Sequence, residues 1–418
     1  MLRRLTAIMT STPRRVPIPR NGVDYRGKVV LAPMVRSGEL PSRLLALKYG
    51  ADLVWGPETI DKALIGTTRH INPRTGTVDF TRLSSNGSRG PTENQKESLI
   101  YRLHPVREHG RLIYQIGTSS PALAVEAAKL VAGDVAGIDV NAGCPKSFST
   151  AGGMGAALLK TPDLLASILE ALVEEVGEVW EIGISVKIRL LETPERTEAL
   201  VRKLCGTGIT GLTVHCRTTP MRPRERAIRE QLKMIASVCR EMGVACLMNG
   251  DVEGRDQALQ LVREFGVDGA MIATKAEANP SCFRTKEEGG LLPWREVTEA
   301  YVRTAIEVEN RWGNTKFSLA QVMWGKAPEY QKVAGARSYQ EVCEILRLDG
   351  LVDEARDVDR TLGLGVYYSK PAEKAKTNQS ARAAGQNSGR MRLPSSEIRH
   401  PLAERGVGIV AALATGSS

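Results

Sequence analysis

Gly137-Ile138-Asp139-Val140-Asn141-Ala142-Gly143-Cys144-Pro145 lies between two helix-period stretches, Leu123–Val131 and Asp163–Val176. Its first half is a short apolar run and its second half a glycine turn, the pattern of a buried strand that feeds a loop. The same cadence recurs on both sides. Apolar, β-rich runs stand at Val29–Ala32, Leu53–Trp55, Leu112–Ile116, Gly137–Val140, Ile184–Ile188, Leu212–His215, Ala245–Met248 and Ala270–Ala273. Helical segments such as Pro194–Leu204, Glu230–Met242 and Arg255–Phe265 fill the gaps. A helix between two strands returns the chain to the end where it started, so consecutive strands run parallel. Eight such strands are the number that closes an α/β barrel of the (β/α)8, or TIM, type. A doubly wound open sheet is the alternative, but no GxGxxG follows the first run.

Working outward, Thr67–Gly90 carries Asn-Pro-Arg-Thr-Gly and Asn-Gly turn signals and reads as a β-hairpin inserted after the second strand. Residues 294–368 hold the helix-period segments Glu296–Glu309 and Tyr339–Leu346 without strands between them, which predicts a small all-α domain. The expected organisation is a flexible basic arm over 1–28, a barrel over 29–293, a helical domain over 294–368 and a low-complexity, disordered tail over 369–418.

The 418 residues carry a net charge of +10, placed unevenly. Residues 1–28 hold seven Lys/Arg against one Asp, net +6, and residues 369–418 hold eight Lys/Arg against three Glu, net +5. The body between them is therefore near neutral, at −1. Basic ends on a neutral body suit a polyanionic partner, although basic tails also serve simply as solubilising segments. The first twenty residues include five Arg and no acid, as in an organelle presequence, but Pro13, Pro17 and Pro19 break an amphipathic helix there. Seven cysteines form no CxxC pair, so neither a zinc site nor a disulfide framework is expected and a reducing compartment is. The expected location is cytoplasmic, with nuclear or mitochondrial pools. No apolar run is long enough to span a bilayer, and no membrane or obligate protein partner is expected.

In a barrel of this kind the reactive groups stand at the C-terminal ends of the strands. Those ends read Pro33-Met34, Gln115, Asn141 with Cys144, Lys187, His215, Asn249-Gly250-Asp251 and Ala273-Thr274. Each alone has a dull explanation. Cys144 could be an inert loop thiol, Lys187 the partner of a nearby carboxylate, His215 a hydrogen-bonded core residue and Gly250 a simple turn. The set carries weight because all of it converges on one mouth. The loops after strands seven and eight commonly build a phosphate site from backbone N–H groups.

The motifs Leu31-Ala-Pro-Met34, Tyr114-Gln-Ile-Gly117, Asn141-x-Gly-Cys144-Pro145, Val186-Lys-Ile-Arg189, Val214-His-x-Arg217-Thr218 and Asn249-Gly-Asp251 resemble the tRNA-dihydrouridine synthases. The likeness runs from about Val29 to Phe283, and more faintly to residue 348. The stretch Gly143–Leu159 resembles the eukaryotic subfamily that acts on the D-loop uridine at tRNA position 20. The resemblance implies FMN as cofactor, NADPH or NADH as reductant and tRNA as substrate and partner. Hydride would pass from the flavin N5 to C6 of uracil, and Cys144 would give the proton to C5. It implies that Pro33, Met34 and Val35 line the flavin and that Gln115 and Lys187 bind its ring edge, with His215 beside flavin and substrate. It places Asn249, Gly250, Asp251, Ala273 and Thr274 at the ribityl-phosphate end, with Asn141 and Arg217 on the substrate. No metal is implied. Two departures stand out: relatives carry Gly at Cys216 and Gly-Arg at Ala273-Thr274, so Lys275 or backbone amides would have to replace that guanidinium. A barrel flavoprotein acting on a free pyrimidine, of dihydroorotate-dehydrogenase type, and a non-catalytic tRNA-binding scaffold are the rival readings.

Overall fold

The computed structural model describes residues 15–83, 97–222 and 224–364. Eight parallel strands close into a barrel: β1 Val29–Leu31, β2 Leu53–Trp55, β3 Leu112–Gly117, β4 Gly137–Ala142, β5 Gly183–Arg189, β6 Gly211–His215, β7 Ala245–Asn249 and β8 Gly269–Ile272. Each pairs with its neighbours in chain order, and β1 closes the ring on β8 through Val29–Ala270, Val30–Met271 and Leu31–Ile272. The eight expected runs are all present, most of them extended by a residue or two.

Strand side chains alternate between two environments, as the two-residue period requires. Val30, Leu53, Trp55, Ile113, Ala245, Leu247 and Met271 fill the barrel interior. Val29, Leu31, Val54, Ile138, Val140 and Val186 face outward and pack on the helices. Those helices begin and end where local chemistry dictates. Ser120 caps the helix Pro121–Val131 by accepting from Leu123 N, and Thr193 does the same for Pro194–Cys205 through Arg196 N. Gly243 and Gly266 take the left-handed conformation that ends Leu232–Met242 and Arg255–Phe265.

Two expectations change on contact with the structure. The insertion after β2 is a three-stranded antiparallel sheet, Thr68–Ile71, Val78–Leu83 and Glu97–Leu103, rather than a hairpin alone. The added third strand mixes charged and half-buried positions, so it shows no clean alternation. Residues 15–28 of the expected flexible arm are held against the barrel: Val16 N donates to Gly243 O at 3.0 Å and Gly27 N to Asp268 O at 2.7 Å. The Tyr25 ring, 1% exposed, plugs the N-terminal end of the barrel, against the first residues of β4 and β6. Residues 1–14, and the tail expected over 369–418, lie outside the described residues. The helices expected after the barrel are present as Trp294–Glu307, Trp312–Val322, Tyr330–Gly335, Tyr339–Leu346 and Val352–Leu362, and they belong to the same compact unit as the barrel.

A buried ion pair stiffens the junction between β1 and the insertion. Arg43 Nε donates to Glu108 Oε1 at 2.6 Å and Nη2 to Oε2 at 3.2 Å, with both side chains essentially inaccessible. The same guanidinium donates to Gly38 O, in the loop that follows Pro33–Val35, and to Arg102 O on the third inserted strand. Such a pair fixes geometry; its net contribution to stability is small, because desolvation offsets most of the attraction.

Candidate functional site

A cavity of about 480 Å³ opens at the C-terminal end of the barrel. Its size is ordinary for a pocket that holds a cofactor-sized molecule. Pro33, Met34 and Val35 line it from the loop after β1, Gln115 from β3, and Asn141 and Cys144 from β4 and its loop. Lys187, His215, Asn249, Ala273 and Thr274 complete it from the remaining strand ends. Three expected site residues stand behind the wall instead: Gly250, Asp251 and Arg217.

Their places are explicit. Gly250 has φ +124°, and a Cβ there would come within 3.5 Å of His215 and within 3.2 Å of Ala227. Asp251 accepts from Arg217 Nη2 at 2.6 Å and from Ala227 N at 2.7 Å. Arg217 also donates through Nε to Glu225 O at 2.8 Å and through Nη1 to His215 Nε2 at 3.2 Å. Only 5% of Arg217 is exposed, so its guanidinium orients His215 and the loop after β7 from below. Lys275, the candidate replacement cation for a phosphate, pairs with Glu253 at 3.4 Å on the surface, which leaves backbone amides for that end.

Beneath the cavity floor lies Asp139, a residue that sequence reasoning passed over. It is fully buried on β4 and accepts from Gln115 Nε2 at 2.8 Å and Ser185 Oγ at 2.7 Å. Burial pushes its carboxyl up, against those two hydrogen bonds and the Lys187 charge. The bond to Asp139 fixes the Gln115 amide so that its carbonyl oxygen points away from the carboxylate. Burial drives Lys187 down, to about 8, with Asp139 opposing. Lys187 makes no hydrogen bond or close ion pair among the described residues. Half-buried and lining the cavity, its ammonium has no close protein anion and is free to meet a ligand there.

His215 is held neutral. Burial and the nearby Lys187, Arg189 and Arg217 charges push it down to about 2. Asn249 Nδ2 donates to Met271 O at 2.9 Å, which fixes its amide as well. Asn141 Oδ1 accepts from Gly143 N at 3.0 Å and Cys144 N at 3.1 Å, so one side chain shapes the turn that carries the thiol. Arg189 Nε donates to Gly143 O at 2.7 Å from the next strand. Cys144 is the only cysteine among the described residues that is not buried. Burial and the Glu58 charge raise its thiol, against Lys146 and Arg189. Sequence reasoning also missed Glu58, which follows β2, and Phe317 and Gln321, which reach the cavity from the helix Trp312–Val322. Only the closed fold brings those residues to the mouth.

This donor set fits the flavin expected from the sequence. A fixed amide carbonyl suits an N–H on a planar ring edge, and a half-buried ammonium without a close protein anion suits a ring that gains negative charge on reduction. The mouth offers no cluster of His, Cys, Asp and Glu able to hold a metal ion among the described residues.

Comparison with known proteins bears on the same surface. The profile of the family described as Dihydrouridine synthase (Dus) matches residues 30–345. The tRNA-dihydrouridine(20) synthase (NAD(P)+) of Schizosaccharomyces pombe is 49% identical over 345 residues, covering 81% of this chain and 69% of its own length. The Saccharomyces cerevisiae protein of the same name is 45% identical over 332 residues, covering 78% of this chain and 84% of its own. A human tRNA-dihydrouridine(20a/20b) synthase (NAD(P)+)-like protein is 30% identical over 259 residues, 62% of this chain and 71% of its own.

Proposed function

The chain belongs to the dihydrouridine synthase family, and on that premise we propose that it reduces a D-loop uridine of tRNA, at position 20, to 5,6-dihydrouridine. NAD(P)H is the reductant and FMN the cofactor. The observation that carries the reading is the convergence of Gln115, Asn141, Cys144, Lys187, His215 and Asn249 on one cavity from five different strands or their loops.

When bound, FMN supplies the hydride that reduces C6 of the uracil ring. The protein does the rest. Gln115 and Lys187 hold the ring edge, and Lys187 stabilises the charge that reduction places there. Pro33, Met34 and Val35 give a backbone wall for the ring, and Asn249 with the backbone of Ala273 and Thr274 receives the phosphate end. Neutral His215 offers a hydrogen bond without competing for the proton. Asn141 orients the base, and Cys144 Sγ donates its proton to C5 as general acid. Arg217 serves by orienting His215. The target base leaves the tRNA stack to enter the cavity, and contacts elsewhere offset the unstacking cost. Phe317 and Gln321 bring the helix Trp312–Val322 to that entrance, where the helical region holds the tRNA, and the charge of the basic termini adds attraction for the polyanion.

The test is direct. Purified protein loaded with FMN and reduced with NADPH is mixed with tRNA lacking dihydrouridine, and position 20 is mapped. Dihydrouridine at that position, with free uridine and uracil left untouched, supports the reading. Reduction of free pyrimidine alone, or a folded protein that takes up no flavin, overturns it.

A further inference from the structure

Glu58 stands beside the thiol with no role yet assigned. It leaves β2 through Gly56-Pro57, is half-buried and lines the cavity. Its Oε1 accepts from Ser149 Oγ at 3.1 Å. Its Oε2 is buried and makes no hydrogen bond of ordinary geometry among the described residues, with the Asn141 side chain close by. The space for the carboxylate is made by Gly117 at the end of β3, where any Cβ would collide with Oε1. A half-satisfied buried carboxylate costs free energy, so its place beside the acid calls for a reason.

Ser149 ties it to that acid. The serine is fully buried in the single helical turn Ser147–Thr150, which directly follows Pro145-Lys146. A Cβ at Gly155 would strike both Ser149 Oγ and the Cys144 carbonyl, which itself accepts from Ala156 N at 2.9 Å. Cys144, Ser149 and Gly155 thus form one close-packed loop, and Glu58 holds it from the end of β2, across β3.

Charge gives the second half of the argument. Lys146 faces Cys144 from its own loop, and Lys187 and Arg189 face it from β5. All three favour a thiolate, and a thiolate cannot act as a general acid. Glu58 is the carboxylate that opposes them; burial raises its own carboxyl, against the hydrogen bonds from Ser149 and Asn141.

We propose that Glu58 is the positioning residue of the acid: it anchors the Cys144 loop through Ser149, and its negative charge disfavours loss of the Cys144 proton before substrate is in place. The proposal rests on the reading of Cys144 as proton donor to C5. Each turnover then moves one proton from Sγ to C5 and leaves a thiolate that recovers a proton from solvent. The same like-charge repulsion that keeps the thiol protonated also speeds that recovery.

Two substitutions separate charge from tether. Glu58→Gln keeps an acceptor for Ser149 and removes the charge, whereas Ser149→Ala keeps the charge and removes the tether. In the full-length, FMN-loaded protein, the rate of Cys144 alkylation by iodoacetamide is followed against pH, with Cys144→Ala as the blank. Glu58→Gln should move the midpoint of thiol ionisation down by about one pH unit, a roughly tenfold change in thiolate at neutral pH. Ser149→Ala should leave the midpoint in place and slow reoxidation of the reduced flavin by tRNA. The alkaline fall of that reoxidation rate should move down in Glu58→Gln by the same interval as the thiol. A midpoint that stays in place or rises in Glu58→Gln overturns the proposal. So does a shifted thiol with an unshifted reoxidation profile. If the thiol shifts but tRNA reoxidises neither wild type nor variant, the charge relation stands and the tRNA reading fails.

Discussion

Arg217 Nη1 donates to His215 Nε2 across 3.2 Å. A guanidinium has only donors, so Nε2 must carry the lone pair and the imidazole proton sits on Nδ1. The imidazole is therefore neutral in the folded protein, pushed down to about 2 by burial and by the Lys187, Arg189 and Arg217 charges. Its C–H resonances should stay flat between pH 5 and 8 in an NMR titration. Because the folded value lies below the ordinary value of 6.5, the unfolded chain binds the proton first. Stability from this site is fully present above about pH 6.5 and is lost as pH falls below it. A resonance assigned to His215 that titrates near pH 6.5 would refute the assignment.

Cys144→Ala should retain the fold and its flavin, and should be reduced by NADPH at the wild-type rate. Reoxidation by tRNA should slow by ~10²–10⁴-fold, the usual contribution of a general acid. Cys216→Ala is the control: that thiol is fully buried, pushed up to about 12 by burial, and does not line the cavity. Stopped-flow measurement of both half-reactions decides between them. Equal rates in Cys144→Ala and wild type, or a larger loss in Cys216→Ala, would reassign the acid.

Lys187→Ala removes the one ammonium on the cavity floor that no protein anion closely pairs. Loss of a charged hydrogen bond is worth about 1.5–3 kcal/mol, so the FMN dissociation constant should rise about 10- to 100-fold. Equilibrium dialysis against FMN measures it. An unchanged constant would mean that the ring edge lies elsewhere.

Gly211→Ala tests the plug at the other end of the barrel. An added Cβ would lie 2.6 Å from Tyr25 Cδ2, against a ring that has nowhere to move. Overpacking of this kind costs about 1–3 kcal/mol in urea unfolding. Gly133→Ala, where a Cβ meets nothing within 4 Å, should cost less. Equal losses would show that Tyr25 does not bear on the barrel floor.

By itself the sequence determined the eight strands, their parallel order and the residues at their C-terminal ends. Those signals are local: a two-residue alternation, a glycine turn and a helix period can be read within a dozen positions. They suffice to bring Gln115, Asn141, Cys144, Lys187, His215 and Asn249 to one mouth, because a closed barrel leaves strand ends nowhere else to go. The tertiary structure decided what lies between them. Asp139 reads as one interruption in an apolar run, and only strand pairing shows that it fixes Gln115. Arg217 is expected on the substrate, and only its pairing with Asp251, some thirty positions on, shows it behind the wall. Glu58 reaches Ser149 across 91 residues of chain, and Phe317 arrives from a helix beyond the barrel. These relations are pairwise and long-range. They depend on ring closure between β1 and β8 and on which side chains that closure buries together, and no local period records either.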